Sequence, residues 1–327
     1  MTVPCVRVER EAGEATRKRL DAAGLLSETH DIGVEDGWLY IPVADAESVP
    51  DDLTVVDFEA PKRDTQTMPA DVLGFEPTYE RLGDVVIVDE DDPERAQAIA
   101  EAIDESDIRA ATVVNKQSKI KGEERVRDWS ILAGNGTETV HREYGAEFLL
   151  DIATVYFSPR LATERHRVVE QVEPGEHAFD MFAGVGPYAI PMAMRGAEVV
   201  ATDINEAAIE YLRENASRND VANSVTAIAG DVRGLADEYA NWADRLVMNL
   251  PHSADEFVDT AVALAGDEAV IHFYDIQHES DRYGPGERAI REAAEPAYDV
   301  TVETRHEVRT YAPHEVNVVL DVRLARR

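Results

Sequence analysis

The chain has 327 residues, 44% of them hydrophobic, so it is long enough for two or three domains and apolar enough to fold. It carries 66 acidic and 32 basic residues, a net charge of −34, with the acid spread along its length. No run approaches the roughly 20 apolar residues of a membrane span, and the N-terminus lacks an apolar signal core, which predicts a cytoplasmic protein. The single cysteine, Cys5, excludes an internal disulfide and a cysteine-based zinc site.

The charge balance predicts a halophilic protein. Lysine is scarce, with five residues against 27 arginines. Excess acid alone argues against a nucleic-acid partner, because such partners prefer basic surfaces. At molar salt, however, the Debye length falls to about 3 Å, so long-range attraction and repulsion are both screened. An RNA-binding protein in that medium would rely on close contacts and shape, and the acidity therefore does not exclude RNA.

The first half of the chain predicts two small α+β domains. In residues 1–62, "GEATRKRLDAAGLL" has helical spacing and "GWLYIPV" predicts a short strand, whereas the proline-rich and charged stretch from Ala46 to Asp71 favours a linker. In residues 70–165, "GDVVIVDE" predicts a strand and "DPERAQAIAEAIDE" an amphipathic helix. Further strands are predicted up to Phe157, and "SPRLATERHRVVEQV" then predicts a helix.

Residues 166–327 alternate between strand and helix patterns and end in a predicted β-hairpin. Such alternation favours an α/β fold with a doubly wound, mostly parallel, Rossmann-like sheet. The final hairpin would add an antiparallel strand to it.

A glycine-rich turn, "DMFAGVGPYAI", joins the first predicted strand of this sheet to its helix. Gly184 and Gly186 allow the backbone to turn tightly and to approach a ligand closely. Asp203, Asp231 and Asn249 stand at the ends of the next three strands. Because open α/β sheets bind ligands at the carboxyl ends of their strands, the sequence predicts a ligand crevice there.

The residues around the turn favour a cationic ligand. A dinucleotide needs backbone donors for its pyrophosphate, but Pro187 removes one of them, and a carboxylate, Asp180, precedes the turn. S-adenosylmethionine carries an ammonium and a sulfonium group, so charge favours it over NAD.

The segment "NLPHSADEF" interrupts the fourth strand with polar Asn249 and with Pro251. It resembles the Asn/Asp-Pro-Pro-aromatic strand end of the amino-methylating class I methyltransferases, with His252 in the aromatic place. This resemblance implies methylation of a ring nitrogen. The alternative is a helix start with proline at its first position and Ser253 as its cap.

Three segments together, "NLPHSADEF", "VYFSPRLATER" and "DMFAGVGPYAIPMA", resemble the archaeal and eukaryotic tRNA (guanine(37)-N1)-methyltransferase family over nearly the whole chain. The resemblance implies methyl transfer from S-adenosyl-L-methionine to N1 of guanosine 37, beside the anticodon. It also implies that tRNA is bound at the anticodon loop and the elbow, without a metal or a membrane. A monomer is expected.

The resemblance also implies roles for individual residues. Glu164 would be the general base, Arg125 would donate to the guanine O6 and Tyr156 would orient the base, while Asn249 and Pro251 would line the methyl site. The implied cofactor contacts are Arg165, Gly184, Gly186, Asp203, Ile204, Asp231, Val232 and Asn249. Asp180 is predicted as a further contact because its carboxylate precedes the glycine turn.

Several alternatives stay open at this point. Arg127 could replace Arg125, "RLATERHR" could be a solvated, ion-paired helix face, and Tyr156 could be ordinary packing. An aminocarboxypropyltransferase of wybutosine synthesis uses the same cofactor and fold. An RNA cytosine-5 methyltransferase would need a nucleophilic cysteine at its active site, whereas Cys5 lies far from the other motifs. An NAD dehydrogenase or a non-enzymatic tRNA-binding protein leaves Asn249 and Glu164 unexplained.

Overall fold

The computed structural model describes residues 2–63, 66–119, 121–122 and 125–327. The chain forms two compact units, residues 1–72 and 73–327. The further division of the second unit near residue 165 stays a prediction. Among the described residues, no helix combines the length and the apolar character needed to cross a membrane.

The first unit is a four-stranded antiparallel sheet with the strand order β2-β3-β1-β4. Val6, Leu20 and Ile41 are fully buried between the sheet and its helix. The linker predicted after Ala46 is partly wrong, because it contains β4, which pairs with β1. Its apolar run is short, and the prolines and acidic residues on both sides of it are typical of a linker. The elements are β1 (Val3–Glu9), α1 (Arg10–Ala22), β2 (Gly33–Glu35), β3 (Trp38–Pro42) and β4 (Thr54–Phe58), and α2 (Pro69–Leu73) follows them.

The second unit begins with a four-stranded sheet, in which β6 and β7 are parallel and the outer pairs antiparallel, and with a separate hairpin of β9 and β10. The strand predicted up to Phe157 is too long. It ends at Asp151, whose carboxylate accepts the amide of Ala153 and turns the chain. The elements are β5 (Tyr79–Leu82), β6 (Val85–Val88), α3 (Pro93–Glu105), β7 (Thr112–Lys116), β8 (Trp129–Gly134), β9 (Glu138–Glu143) and β10 (Ala146–Asp151).

A seven-stranded sheet, with the order β13-β12-β11-β14-β15-β17-β16, forms the rest of the unit. The first five strands are parallel, and β17 is antiparallel to both of its neighbours. The predicted Rossmann-like sheet with a terminal hairpin is confirmed. The elements are α4 (Ala162–Val169), β11 (His177–Asp180), α5 (Ala189–Met194), β12 (Glu198–Asp203), α6 (Glu206–Arg218), β13 (Val225–Ala229), β14 (Ala243–Met248), α7 (Val258–Leu264), β15 (Ala265–His278), α8 (Gly284–Ala294), β16 (Tyr298–Ala312) and β17 (Glu315–Arg326).

Asn215 of α6 and Asn219, which directly follows this helix, fasten the β9–β10 hairpin to this sheet. The Asn215 side chain accepts the amide of Leu149 at 2.7 Å and donates to the carbonyls of Leu149 and Val185, each at 3.0 Å. Asn219 bonds to the amide and carbonyl of Glu147 in the same way. The two asparagines thus form hydrogen bonds with the backbone of β10 of the kind that a neighbouring strand would form. Because Val185 belongs to the glycine turn, Asn215 also holds the hairpin and the turn together.

We expect Asn215→Ala to lower the free energy of unfolding by about 3 kcal/mol, because it leaves a buried carbonyl of Val185 and two partly buried backbone groups of Leu149 without partners. Asn219→Ala is the matched control, since Asn219 is half-buried and water can replace its side chain. It should cost about 1 kcal/mol. Urea unfolding followed by circular dichroism measures both, and equal losses would contradict the bridging role.

Candidate active site

The glycine turn is shaped by one carboxylate. The backbone φ is +52° at Gly184 and +94° at Gly186, in the left-handed region that favours glycine. A Cβ on Gly186 would lie 2.9 Å from the side chain of Ile190. The Gly184 amide donates to Oδ2 of Asp203 at 2.7 Å, and the Asn205 amide donates to Oδ1 at 2.9 Å. Asp203 therefore ties the end of β12 to the turn after β11.

Asp180 lies fully buried at the start of the same turn. Neither of its carboxylate oxygens has a hydrogen-bond partner within bonding geometry among the described residues. Burial raises the pKa of Asp180 to about 7, the nearby charge of Asp203 adds to the rise, and the amides of Phe182 and Ala189 oppose it. A buried carboxyl group without a counter-charge is a strong position for a cationic ligand group.

The outer strand ends offer both apolar and polar groups. Ile204 follows Asp203 and is 50% exposed, whereas Val232 is buried. Asp231 accepts hydrogen bonds from the backbone amide and from the guanidinium of Arg233. The bond from the guanidinium is the main cause of the lowered pKa of Asp231. An exposed aliphatic side chain beside two carboxylates suits a ligand with an aromatic ring and hydroxyl groups.

A cavity of about 150 Å³ lies beside the turn, and its lining includes Arg125 and Tyr156. The Arg125 guanidinium carbon lies 4.9 Å from the centre of the Tyr156 ring, and its buried Nε has no partner among the described residues. The carbonyl of Tyr156 lies 3.8 Å from where a Cβ of Gly184 would be, so cavity and turn adjoin. Arg127 instead lies over the ring of Trp129, at 5.5 Å.

The end of β14 presents an available carboxamide. Asn249 is half-buried, and no group of the described residues hydrogen-bonds to its side chain. Pro251 is buried, and its carbonyl accepts the amide of Ile276 at 2.9 Å. Ser253 stands before the 3-10 helix Ala254–Phe257 without a capping hydrogen bond from its side chain. The break thus fixes Pro251 and leaves Asn249 free to bind a ligand.

His252 joins the Asn249 turn to β16. Its Nε2 lies 3.1 Å from the hydroxyl of Tyr311, and the two rings meet edge to face. Burial lowers the pKa of His252, the charge of Arg125 adds to this, and Glu315 opposes it.

Glu164 is 5% exposed and Arg165 4%, so the alternative of a solvated, ion-paired helix face is wrong about solvation, although both side chains form ion pairs. Oε1 of Glu164 accepts from Arg167 at 2.8 Å and from the Tyr274 hydroxyl at 2.7 Å, and Oε2 accepts from Arg167 at 2.8 Å. A carboxylate offers about four acceptor positions. One position therefore remains on Oε2, where Nε2 of His306 lies 3.6 Å away.

Two buried tyrosines link Glu164 to the glycine turn. The Tyr188 hydroxyl donates to the Tyr274 hydroxyl at 2.9 Å, and Tyr274 donates onward to Glu164. Tyr188 directly precedes α5, so α4 lies on the same side of the sheet as the turn. Sequence reasoning missed both tyrosines, because nothing in their spacing indicates that they meet.

A buried chain of charges anchors Arg167. Its guanidinium bonds to Asp321 at 2.6 and 3.1 Å, Asp321 bonds to Nδ1 of His272 at 2.7 Å, and Nε2 of His272 lies 2.8 Å from the Arg245 guanidinium. Burial opposes the ionisation of Asp321, but the hydrogen bonds from His272 and Arg167 lower its pKa well below the usual value. Burial also lowers the pKa of His272. Such distant residues gave no sequence signal.

Arg165 is bound to protein groups in the structure. It forms a bidentate ion pair with the carboxylate of Glu143, at 3.0 and 2.5 Å, and donates to the carbonyl of Ser158 at 3.0 Å. These contacts hold the segment between β10 and α4 against the hairpin. Its predicted contact with the cofactor stays a prediction.

The chain resembles known proteins over its whole length. Residues 139–303 match the model of the TRM5/TYW2 methyltransferase domain, 5–50 that of the tRNA methyltransferase 5 N-terminal domain, and 65–137 that of the TYW2 N-terminal domain. The Trm5b tRNA (guanine(37)-N(1))-methyltransferase of Pyrococcus abyssi is 40% identical over 98% of each chain. The chain belongs to the TRM5/TYW2 methyltransferase family.

Two other members of the TRM5/TYW2 family bear on the site. A solved complex of aTrm5 with tRNALeu matches with a TM-score of 0.73 and 32% identity, over 98% of this chain and 99% of that one. A tRNA(Phe) (4-demethylwyosine(37)-C(7)) aminocarboxypropyltransferase of Pyrococcus horikoshii is 33% identical over 75% of this chain and 88% of its own. The family therefore includes both of the transfer reactions that the sequence left open.

We expect the stability of the ligand-free protein to depend on Asp180. Because the folded pKa, about 7, lies above the ordinary value of 3.8, folding favours the protonated acid. That contribution is complete below pH 4 and is lost as the pH rises to 7, by roughly 4 kcal/mol. Asp180→Asn keeps the shape and removes the ionisation.

Urea unfolding of both proteins between pH 5 and 8 tests this expectation. The variant should become progressively more stable than the parent as the pH rises, since all other acids cancel in the comparison. A difference that stays constant across this range would show that Asp180 ionises freely in the fold.

Proposed function

We propose that this protein transfers a methyl group from S-adenosylmethionine to N1 of guanosine 37 in tRNA. The observation that carries this proposal is the position of Glu164, which the Tyr274–Tyr188 pair holds beside the glycine turn. A carboxylate there can serve a base entering from the Arg125–Tyr156 cavity. The match to the P. abyssi Trm5b over nearly both complete chains supports the same activity.

The residues around the turn fit S-adenosylmethionine. When bound, the cofactor supplies an electrophilic methyl group on its sulfonium. Asp180 would bind the ammonium, because it is buried without a counter-charge. Asp203 would accept ribose hydroxyls, Ile204 would pack against the adenine, and Gly184 and Gly186 would admit the methionine end. Among the implied contacts, Arg165, Asp231, Val232 and Asn249 complete the proposed cofactor set.

Glu164 acts as the general base in this proposal. The N1 proton of guanine is weakly acidic, so a positioned carboxylate must remove it as the new bond forms. The open acceptor position of Glu164 is on Oε2. The N1–methyl bond forms as the sulfonium–methyl bond breaks, and the proton passes to Glu164.

The cavity residues hold the base and its developing charge. Arg125 would donate to O6, where negative charge builds up as N1 loses its proton. Tyr156 would stack on the ring, and the free carboxamide of Asn249, backed by Pro251, would orient the reacting edge. The base must leave its stack to reach this site, at a cost of a few kcal/mol.

The aminocarboxypropyl transfer of the P. horikoshii relative is the second candidate. It is favoured by the match of residues 65–137 to the TYW2 N-terminal domain. Against it, residues 5–50 match the tRNA methyltransferase 5 N-terminal domain, and the guanine methyltransferase relative covers 98% of this chain rather than 75%. The methyl transfer is therefore the better supported reaction.

The setting of the reaction is proposed on the same basis. Residues 1–62 would grip the tRNA elbow, 70–165 would contribute catalytic residues, and 166–327 would bind the cofactor. The protein would act as a cytoplasmic monomer. Its net charge of −34 and its scarcity of lysine favour a halophilic source, where salt screens the repulsion between the enzyme and the anticodon loop.

Incubation with labelled S-adenosylmethionine and tRNA in molar KCl, followed by nucleoside mass analysis, tests the function. We expect guanosine 37 to gain the mass of one CH₂. Glu164→Gln should lower kcat by roughly 10²–10⁴-fold with unchanged cofactor affinity, because only the proton acceptor is lost. Glu170→Gln is the control, since Glu170 is exposed and pairs with Arg195. The larger aminocarboxypropyl mass would favour the second candidate, and full turnover by the Glu164 variant would remove it as the base.

We further expect the two neighbouring arginines to differ. Arg125→Gln should lower kcat by about 10²–10³-fold, because it removes a donor to a developing negative charge. Arg127→Gln should change kcat by less than about tenfold, since Arg127 lies over Trp129 rather than Tyr156. Steady-state kinetics of both variants measure this, and the reverse order would assign O6 to Arg127.

A further inference from the structure

The cavity beside the glycine turn holds positive charge that no acid neutralises. Most arginines of the described residues pair with carboxylates. Of the described residues that line the cavity, Glu80 is the sole carboxylate, and Arg160 binds both of its oxygens at 3.1 Å. Arg125 and Arg309 both line the cavity, and neither has a carboxylate partner in the described part of the chain.

Arg309 is held in the cavity by the terminal hairpin. Its Nε is buried without a hydrogen-bond partner among the described residues. The pairing of β16 with β17 shifts register just before Arg309 and again just after Thr310. Such bulges re-aim a side chain and are common beside active sites. Asn317 lies opposite on β17, 3% exposed, and its Oδ1 also lacks a partner, so Arg309 does not use the nearest acceptor in register.

We propose that Arg309 binds a backbone phosphate of the RNA next to the target nucleotide. Four arginines of the described residues line this small cavity and repel one another; Arg160 pairs with Glu80, and Arg127 lies over the ring of Trp129. Arg125 and Arg309 each keep a buried N–H group that has no hydrogen-bond partner among the described residues. An anion would relieve both penalties, and a guanidinium matches a phosphate through two parallel hydrogen bonds. Since Arg125 is assigned to the base, Arg309 holds the backbone while the base turns into the cavity.

The geometry favours an RNA phosphate over the cofactor carboxylate. The cavity is lined by residues of β5, β6, β7 and β8, by Arg125–Arg127, by Ile152 and Val155–Arg160, and by Arg309. None of the strand ends that carry Asp203 and Asp231 lines it. It also adjoins Tyr156, the proposed stacking partner of the base. This inference rests on the proposed function for the identity of the RNA, but it concerns binding and is separable from methyl transfer.

Fluorescence anisotropy with a labelled tRNA anticodon stem-loop tests the proposal, over the KCl range in which circular dichroism shows each protein folded. We expect Arg309→Gln to weaken binding by roughly tenfold or more, as the loss of a charge-assisted contact with one phosphate implies. The slope of log affinity against log salt should become shallower by about 0.7–0.9, the amount for one phosphate contact. Arg309→Lys should keep the slope and lose less affinity. Cofactor affinity, measured by calorimetry, should not change.

Arg323→Gln is the matched control, because Arg323 lies on β17 of the same hairpin and pairs with Glu303 at 2.5 Å. It should leave RNA affinity and salt slope as in the parent. The proposal is overturned if Arg309→Gln leaves both unchanged, if it weakens cofactor binding instead, or if the parent does not bind the stem-loop. A parent that binds the RNA without methylating it would count against the proposed function and leave the phosphate contact standing.

Discussion

The hydroxyl of Tyr274 makes the interaction on which the rest of the site depends. It is fully buried on β15, donates to Glu164 at 2.7 Å and accepts from Tyr188 at 2.9 Å. Glu164 belongs to α4, the helix that precedes the sheet, and Tyr188 belongs to the glycine turn that follows β11. Since a buried polar group without a partner is costly, these hydroxyls fix the distance between the proposed base and the proposed cofactor site.

The sequence predicted the position of a side chain correctly wherever that position is determined by the end of the preceding strand. Asp180, Asp203 and Asn249 lie at or directly after strand ends, because the carboxyl ends of parallel strands meet at one edge whatever the rest of the chain does. The same local logic gave the Rossmann-like sheet and its terminal hairpin. It failed for β4, where flanking prolines and acids outweighed a short apolar run.

Contacts between distant residues could not be derived in this way. The role of Glu164 came only from a family resemblance, since the local pattern equally suited a solvated helix face. Its partners Tyr274 and Arg167, and Asp321 beyond them, converge from three elements, and no periodicity encodes that convergence. Arg309 was missed for a related reason: it stands in an alternating strand, and only the two register shifts set it apart.

The charge distribution connects stability with recognition. An acidic surface repels RNA unless salt screens it, so attraction must come from a few cationic groups at close range. Each arginine that pairs with a carboxylate is neutralised for this purpose. The guanidinium groups without such a pair therefore carry more information about function than the net charge does.

The glycine turn takes its shape from folding alone, because the amides of Gly184 and Asn205 are bonded to Asp203 of the same chain. A small molecule entering this pre-organised cradle has little backbone to immobilise, which favours tight binding for its size. The same rigidity has a cost in versatility. A ligand that needs a different backbone shape in the turn would have to break the bonds that join β12 to it, so the scaffold itself limits which ligands fit.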